Sequence, residues 1–559
     1  MGLGIRDDKH LKVRHLVSLA PGAQWLHVPG TSVFSKDPNA IAAALYEGVD
    51  LNALKHGKGK HEHIVLVPQP SEDPNDPLNW STAKKWTTFM VLLYGTTLCG
   101  ALGPLVSAGQ VELAADFGVS LSAISRALGT SLVTTLAIAT IFWSAWATKL
   151  GKRSVFLFTT AFMLIGSIIA GEAKNYGTLL GSRIIQAVGQ SGCEFLVGSS
   201  IADIFFVHER GTPISLWNLG LLGGISVTPP IAGKVFAEIG WRWCFRIFSI
   251  ATALLLVMMV VIMPETTYER AAVVPPGALT SRDGDEKTSG DIDHVERGSA
   301  ASAHGPKKSF VQEMALFSGV YRRDRSFLGL LVEPFKLLAS PVVQHAIWTY
   351  GLAITFLVVI ATGAAQVFAG SYGFGPSGTG NVYVAALIGN LLGAAVAGPL
   401  TDWTAERLSS YNNGFFEPEF RLPLLSAYFL FGGTGLFAFG AIAQKGLSSW
   451  GVIVMFGVLN FGITVGCHAI IAHVVECHRK SSDAALGAVI FGKNALSAIF
   501  SAFTNLWIEA GIDKCFYSMG ALAMATSLLG IPMWIYGKKA RSWIARNLHS
   551  DEQTSVVAS

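Results

Sequence analysis

Residues 243–263 read WCFRIFSIATALLLVMMVVIM, an apolar run in which Arg246 is the one charged side chain. About 20 apolar residues wound as a helix span the roughly 30 Å hydrocarbon core of a bilayer. This stretch is therefore long enough to cross a membrane, and longer than a buried helix of a soluble domain requires. Comparable runs precede it near 86–110, 124–147, 154–171, 177–206 and 213–238. Six more follow near 343–368, 379–401, 422–444, 449–475, 483–508 and 514–537. Lipid offers no hydrogen bonds to an open backbone, so each run is read as one helical crossing. The expected fold is an all-α membrane protein of about twelve transmembrane helices.

Composition agrees. Of 559 residues 51% are hydrophobic and 14% charged, against about 25% charged in soluble domains, and mean hydropathy is +0.46. The net charge of +4 and the scattered Lys and Arg argue against a nucleic-acid partner. The six cysteines lie in or beside apolar runs without paired spacing, which predicts small core residues and no metal site or disulfide framework. The charged start, MGLGIRDDKHLKVRH, lacks the apolar stretch of a cleavable signal, so the mature chain is expected to begin near Met1.

The runs fall into two groups of six. Between them SRDGDEKTSGDIDHVERGSAASAHGPKKS, residues 281–309, has the composition of a disordered linker. The expected organisation is a cytoplasmic tail over 1–84, a six-helix bundle over 85–264, a cytoplasmic and partly disordered linker over 265–340, a second bundle over 341–537 and a cytoplasmic tail over 538–559. Lys and Arg are denser on the side that holds both termini and the linker, with Lys149, Lys152, Arg153, Arg210, Arg407, Arg421, Arg479 and Lys480 in loops and Lys84, Lys85, Lys538, Lys539 and Arg541 in the tails. That side is therefore read as cytoplasmic. The sequon Asn79-Trp80-Ser81 then faces the cytoplasm and carries no glycan.

Ionisable and amide groups inside apolar helices are costly, so each needs a reason. Arg183, Gln186, Gln190 and Glu194 are spaced by three, four and four residues and form one polar stripe on the fourth helix. They are read as the lining of a central cavity, with Glu194 exchanging a proton and Arg183 biasing it; the structural alternative is a buried network that ties helices together. Lys493 and Asn494 sit in the middle of the eleventh helix, where a cation needs a partner or water, and are open to both readings. Asn218, Asn390, Asn460 and Asn505 suit helix-to-helix ties, with Asn390 also placed near the substrate. His473 and Glu476 approach the cytoplasmic end of the tenth helix, where solvation accounts for them. The string Gly487 to Asn494 imitates a phosphate-binding loop, but it lacks the final Ser or Thr and follows no strand. With no nucleotide motif, an ion gradient is the expected energy source.

Several short strings occur in a fixed order: LVPQPSEDPNDPLNWS before the first helix, HERG ending at Gly211, GWRW at 240–243, PETTYER at 264–270, YNNGFFEPEFRL at 411–422, and KN with NLW in the eleventh helix. In these the chain, from about Leu66 onward, resembles the major facilitator superfamily, in particular the fungal twelve-helix drug:proton antiporter group and its polyamine-transporter-like branch. The resemblance implies two six-helix bundles rocking about a midplane site. It implies that Arg183, Gln186 and Gly189 match a proton-coupling motif, and that Thr228 to Gly233, with Pro229, Pro230 and Gly233, matches an antiporter motif in which Pro229 replaces a glycine. In the loop after the second helix the matching positions are Ser144, Thr148, Gly151, Lys152 and Arg153, with Thr148 where the family has an acid. The second-half counterpart keeps Gly398 and Asp402.

The function expected from these readings is secondary active transport, most specifically proton-coupled antiport that exports a small organic compound. A proton-coupled importer of polyamines or other nutrients, and a nutrient sensor without turnover, are the alternatives. Arg183 and Glu194 are expected to couple protons, Gln186, Gln190, Asn390, Lys493 and Asn494 to bind substrate, and Gly151, Lys152, Arg153, Pro230, Gly233 and Asp402 to gate. No enzyme activity, metal or cofactor is expected. The partners are a small-molecule substrate, protons and the lipid bilayer, and the protein is read as a monomer of the plasma membrane.

Overall fold

The computed structural model describes residues 32–33, 55, 66, 70–206, 209–268, 307–317, 319, 321, 326–412, 415–478 and 482–547. Nearly all of the linker read as disordered, and most of the N-terminal tail, lie outside the described residues, as do Arg479 and Lys480.

In the first half the long helices are α1 (Thr82–Leu102), α2 (Leu121–Leu150), α3 (Lys152–Gly171), α4 (Tyr176–Ile204), α5 (Gly211–Ile239) and α6 (Trp241–Ile262). In the second half they are α7 (Pro341–Tyr372), α8 (Tyr383–Tyr411), α9 (Pro418–Gln444), α10 (Ser449–Cys477), α11 (Ser482–Glu509) and α12 (Ile512–Leu528), which runs on after a break as Gly530–Asn547. Among the described residues eleven helical spans are long and apolar enough to cross a membrane. The twelfth, α4, is long enough but too polar along its stripe to be one of them.

The run that opens α6 shows why lipid is the solvent. Ile247, Ile250, Leu254, Val257 and Val261 recur every three or four residues and are 44–67% exposed, while Phe245, Phe248, Leu255 and Met259 on the other face are buried. A stripe of branched aliphatics left bare along a whole helix is stable against acyl chains and not against water. Arg246, the lone charge of that run, pairs with Glu172 at 2.8 Å beyond the end of α3.

Local signals place the helix ends. Ser81 accepts from the Lys84 N–H at 3.3 Å and Asn175 from the Thr178 N–H at 2.8 Å, capping α1 and α4. The α2–α3 and α5–α6 turns pivot on Gly151 (φ 93°) and Gly240 (φ 95°), where a side chain would be strained. Helices α2, α7 and α9 each carry a π-turn, at Arg126–Thr130, Ile347–Gly351 and Tyr428–Gly433.

Helices α3 and α4, α1 and α5, and α3 and α6 pack within the first half; α8 and α10, α7 and α11, and α9 and α12 pack within the second. The halves meet where α2 packs on α11 and α5 on α8. Glycines allow the closest approaches: a Cβ at Gly189 would strike the backbone of Met163 in α3, and one at Gly224 the carbonyl of Thr97 in α1. A two-residue antiparallel pair joins β1 (Ser32–Val33) to β2 (Phe415–Phe416), with Ser32 opposite Phe416 and Val33 opposite Phe415. The last part of the expected linker is helical rather than loose. Phe327–Leu337 buries Leu330, Pro334 and Leu337 as it packs against α2 and α11.

Candidate functional site

The stripe on α4 divides into two functions along its length. Arg183 is fully buried and donates to the carbonyls of Leu102 at 3.2 Å and Leu128 at 3.0 Å and to Gln186 Oε1 at 2.9 Å. Leu102 is the last residue of α1, and a helix end leaves carbonyls without intrahelical partners; the planar fork of arginine satisfies several at once. Gln186 donates to Ser167 Oγ on α3 at 3.1 Å. Both side chains are thus spent on joining helices. The structure does not bring Gln186 to a cavity wall, nor Arg183 to Glu194, which lies on the order of 16 Å further along the helix axis.

The other end of the stripe faces space. Gln190 donates to the Cys99 carbonyl at 3.0 Å, and its Oε1 has no partner. Glu194 forms a buried ion pair with Lys493 of α11, and its Oε2 has no partner. This contact ties the first half to the second. It answers the question the sequence raised about a cation in mid-helix, and its signal was available: one lone acid and one lone base, each inside an apolar run.

Gln190, Glu194, Lys493 and Asn494 line a cavity of about 110 Å³ between the halves. Its remaining wall is mostly aliphatic, from Leu128, Leu132, Val133 and Leu136 of α2, Leu221 and Ile225 of α5, and Ile354, Leu357 and Val358 of α7, with Gln110, Ser107, Thr362 and Ser497 as its other polar side chains. The Asn494 amide nitrogen is buried without a partner. Asn390 is elsewhere: it donates to Ser226 Oγ of α5 at 2.8 Å and accepts from Thr464 of α10 at 2.8 Å, tying three helices. The structure therefore does not place Asn390 on this cavity.

A second cavity, of about 840 Å³, lies towards the end of the bundle where α4 ends and α5 begins. Asp402, Arg421, His468 and Glu476, with Arg210, are the charged and titratable side chains of its wall. Arg421 grips Glu476 bidentately, with Nε 2.8 Å from Oε2 and Nη2 2.5 Å from Oε1. Glu476 is thus explained by pairing and not by solvation alone. His473, also expected to be solvated, is fully buried, with its ring 6.2 Å from that of His345. The opposite end is tightly packed. A Cβ at Gly233 would strike the Pro376 carbonyl, a Cβ at Gly380 would strike that of Pro229, and Asn505 donates to Ser125 Oγ at 2.7 Å. Pro230 lies beside this seam inside α5.

The turn between α2 and α3 shows how the chain does without the acid at position 148. The Thr148 hydroxyl donates back to the Ser144 carbonyl at 2.9 Å. Lys152 pairs instead with Asp203 near the end of α4 at 2.6 Å. Arg153 holds carbonyls at the end of α6, Met259 and Val260, each at 3.1 Å, and that of Met314 at 2.9 Å. Glu265, from the PETTYER string, accepts the Lys152 N–H at 3.0 Å and the Arg153 N–H at 3.1 Å, capping α3. Gly151 leaves room for it, since a Cβ there would collide with that carboxylate. Arg541, read from the sequence as part of the cytoplasmic tail, packs against the second half. It is buried between Glu417 at 2.5 Å and Glu419 at 2.9 Å, the two acids of the FFEPEF string. Among the described residues no group of three or more His, Cys, Asp or Glu is placed to hold a metal ion.

The profile of the Major Facilitator Superfamily matches residues 86–502. The chain belongs to this superfamily. An MFS-type transporter of Schizosaccharomyces pombe is 24% identical, over 95% of this chain and 96% of its own. The Multidrug transporter DTR1 of Candida glabrata is 27% identical, over 78% of this chain and 82% of its own. Among solved structures, the proton:xylose symporter XylE bound to 6-bromo-6-deoxy-D-glucose superposes with a TM-score of 0.56 at 15% identity, covering 81% of this chain and 96% of that one. That likeness speaks for the fold. As a major facilitator the chain is a multi-pass membrane transporter of small molecules and not an enzyme.

Proposed function

We propose that the chain is a proton-coupled antiporter that exports a small organic compound, with the Glu194–Lys493 pair as its coupling centre. The observation that carries this reading is an ion pair at the wall of a cavity between the two halves, the place where alternating access must open and close. A buried pair is costly to break by losing one partner. A proton or a substrate that takes over one partner's role therefore decides whether the halves can separate. The kinship with a protein named as a multidrug transporter supports export. With both termini cytoplasmic, the wide cavity beside Asp402 faces the cytoplasm and receives cargo there, while the seam at Pro230, Gly233 and Gly380 forms the outer gate. The turn of Gly151, Lys152 and Arg153 braces the cytoplasmic end, and the plasma membrane is the proposed location.

The test is flux into sealed vesicles holding the purified chain, with and without an imposed pH gradient, across a panel of metabolites, drugs and polyamines. Uptake into inverted vesicles acidified inside, lost in Glu194→Gln, is the expected result. Binding without movement of any compound would end the transport reading.

A further inference from the structure

The atoms left unpaired around the central cavity have a definite chemistry. Gln190 Oε1 and Glu194 Oε2, one helical turn apart on α4, are both acceptors, and across from them the Asn494 amide nitrogen on α11 is a donor. Buried polar groups are nearly always hydrogen-bonded. An amide acceptor beside an unpaired carboxylate oxygen calls for a ligand head with more than one N–H, and the donor for one acceptor atom on the ligand or a bridging water. Beyond this polar end the wall is mostly branched aliphatic, and the other polar side chains on it, Ser107, Gln110, Thr362 and Ser497, are already hydrogen-bonded within the protein; no aromatic side chain lines it, so it offers no stacking surface to a planar ring or cage for a quaternary ammonium. Charge sets the last condition. With Glu194 and Lys493 paired the cavity is neutral, and its remaining lining carries no other acid or base.

We infer that the central cavity takes a primary ammonium on a short aliphatic body, and that its binding to Glu194 displaces the proton of Lys493. The inference rests on the transport reading above and adds the substrate class and the source of the exchanged proton. The balance is simple. One cation enters, Lys493 becomes a neutral amine, one proton leaves, and the net charge of the cavity does not change. Keeping both cations beside a single carboxylate would leave one of them uncompensated in a low-dielectric site, which costs several kcal/mol and which lysine escapes by losing its proton. The groups that face Lys493 allow this. Glu194 on α4, Tyr350 on α7 and Cys467 on α10 surround the pair, with Cys99 on α1 and Cys193 beside Glu194; none of the others is a cation. A ligand with two or more ammonium groups finds one carboxylate and no second.

Binding of hexylammonium, hexanamide and hexanoate to the purified full chain in detergent, near neutral pH and above, tests this. In the wild type hexylammonium is expected to bind best, with affinity rising about tenfold per pH unit because a proton leaves as it enters, and with acidification of a weakly buffered solution. Lys493→Met combined with Glu194→Gln, which removes both charges, is expected to lose hexylammonium binding at every pH. Lys493→Arg, which keeps its charge, is expected to lose binding, with folding of both variants checked by thermal unfolding. Binding in the wild type that ignores pH, or a preference for hexanoate or hexanamide, would overturn the inference, whatever becomes of the variants. Proton-driven flux of a neutral or anionic compound would overturn it while leaving the transport reading intact. Proton-linked ammonium binding with no flux of any compound would do the reverse.

Discussion

At the residue scale, the consequence of placing Glu194 against Lys493 is that neither is replaceable alone. Glu194→Gln leaves a lysine ammonium buried without its counter-charge, and the loss of one member of such a pair costs about 3–5 kcal/mol. Thermal unfolding in detergent is expected to show a large drop for Glu194→Gln, and recovery of most of it in Glu194→Gln with Lys493→Met, which removes both charges. A double variant no more stable than the single would mean that the pair is not what holds these helices. Arg183 makes a different demand. Its guanidinium reaches three backbone carbonyls and Gln186 at once, which a lysine ammonium on a shorter, single-point head cannot match. Arg183→Lys is expected to lower both folded yield and transport. A variant stable to within experimental error of the wild type yet inactive would instead return Arg183 to a direct part in coupling.

At the element scale, glycines decide how closely the helices approach. Gly189 lets α4 lie against the backbone of Met163, so Gly189→Ala forces α3 and α4 apart. Overpacking of this kind costs about 1–3 kcal/mol, to be read from the thermal midpoint. Gly370, near the end of α7, has open space where a Cβ would go, and Gly370→Ala is expected to be neutral or slightly stabilising in the same assay. The contrast makes the test one of packing and not of glycine loss. The α2–α3 turn is the other local device. Gly151 combines a left-handed φ of 93° with the approach of the Glu265 carboxylate, so Gly151→Ala is penalised twice, by strain and by displacement of the helix cap. Glu265→Gln should keep the shape and weaken the cap, leaving a smaller loss of stability than Gly151→Ala.

At the scale of the whole molecule, the polar side-chain contacts that join the two halves among the described residues include Glu194 to Lys493, Ser125 to Asn505, Thr130 to Ser501, and Asn390 to Ser226. The Ser125 contact lies at the sealed end, where the halves must part if the cavity is to open on that side. In a chain whose six buried native cysteines are replaced by alanine, a Ser125→Cys, Asn505→Cys pair is expected to cross-link on oxidation in membranes and to cut transport at least about tenfold, a rise in the barrier of roughly 1.4 kcal/mol or more. A cross-linked protein that still transports would show that this end does not open during the cycle.

Long apolar runs, their grouping into six and six, and the polar stripe on α4 were all legible from the chain alone, because membrane insertion and helix periodicity act on neighbours within a few residues. The stripe could be seen but not divided. That Arg183 and Gln186 tie helices while Gln190 and Glu194 face a cavity depends on which helices lie across from each turn of α4. The pairing of Glu194 with Lys493, across 299 positions of chain, follows from how one bundle docks on the other. In the same way, the charges of Arg541, Glu417 and Glu419 are plain in the sequence, but their burial together is decided by packing. Local order is written in spacing that any short window reveals. Which buried charges neutralise one another is a property of distant segments brought together, and for that reason only the tertiary structure decided it.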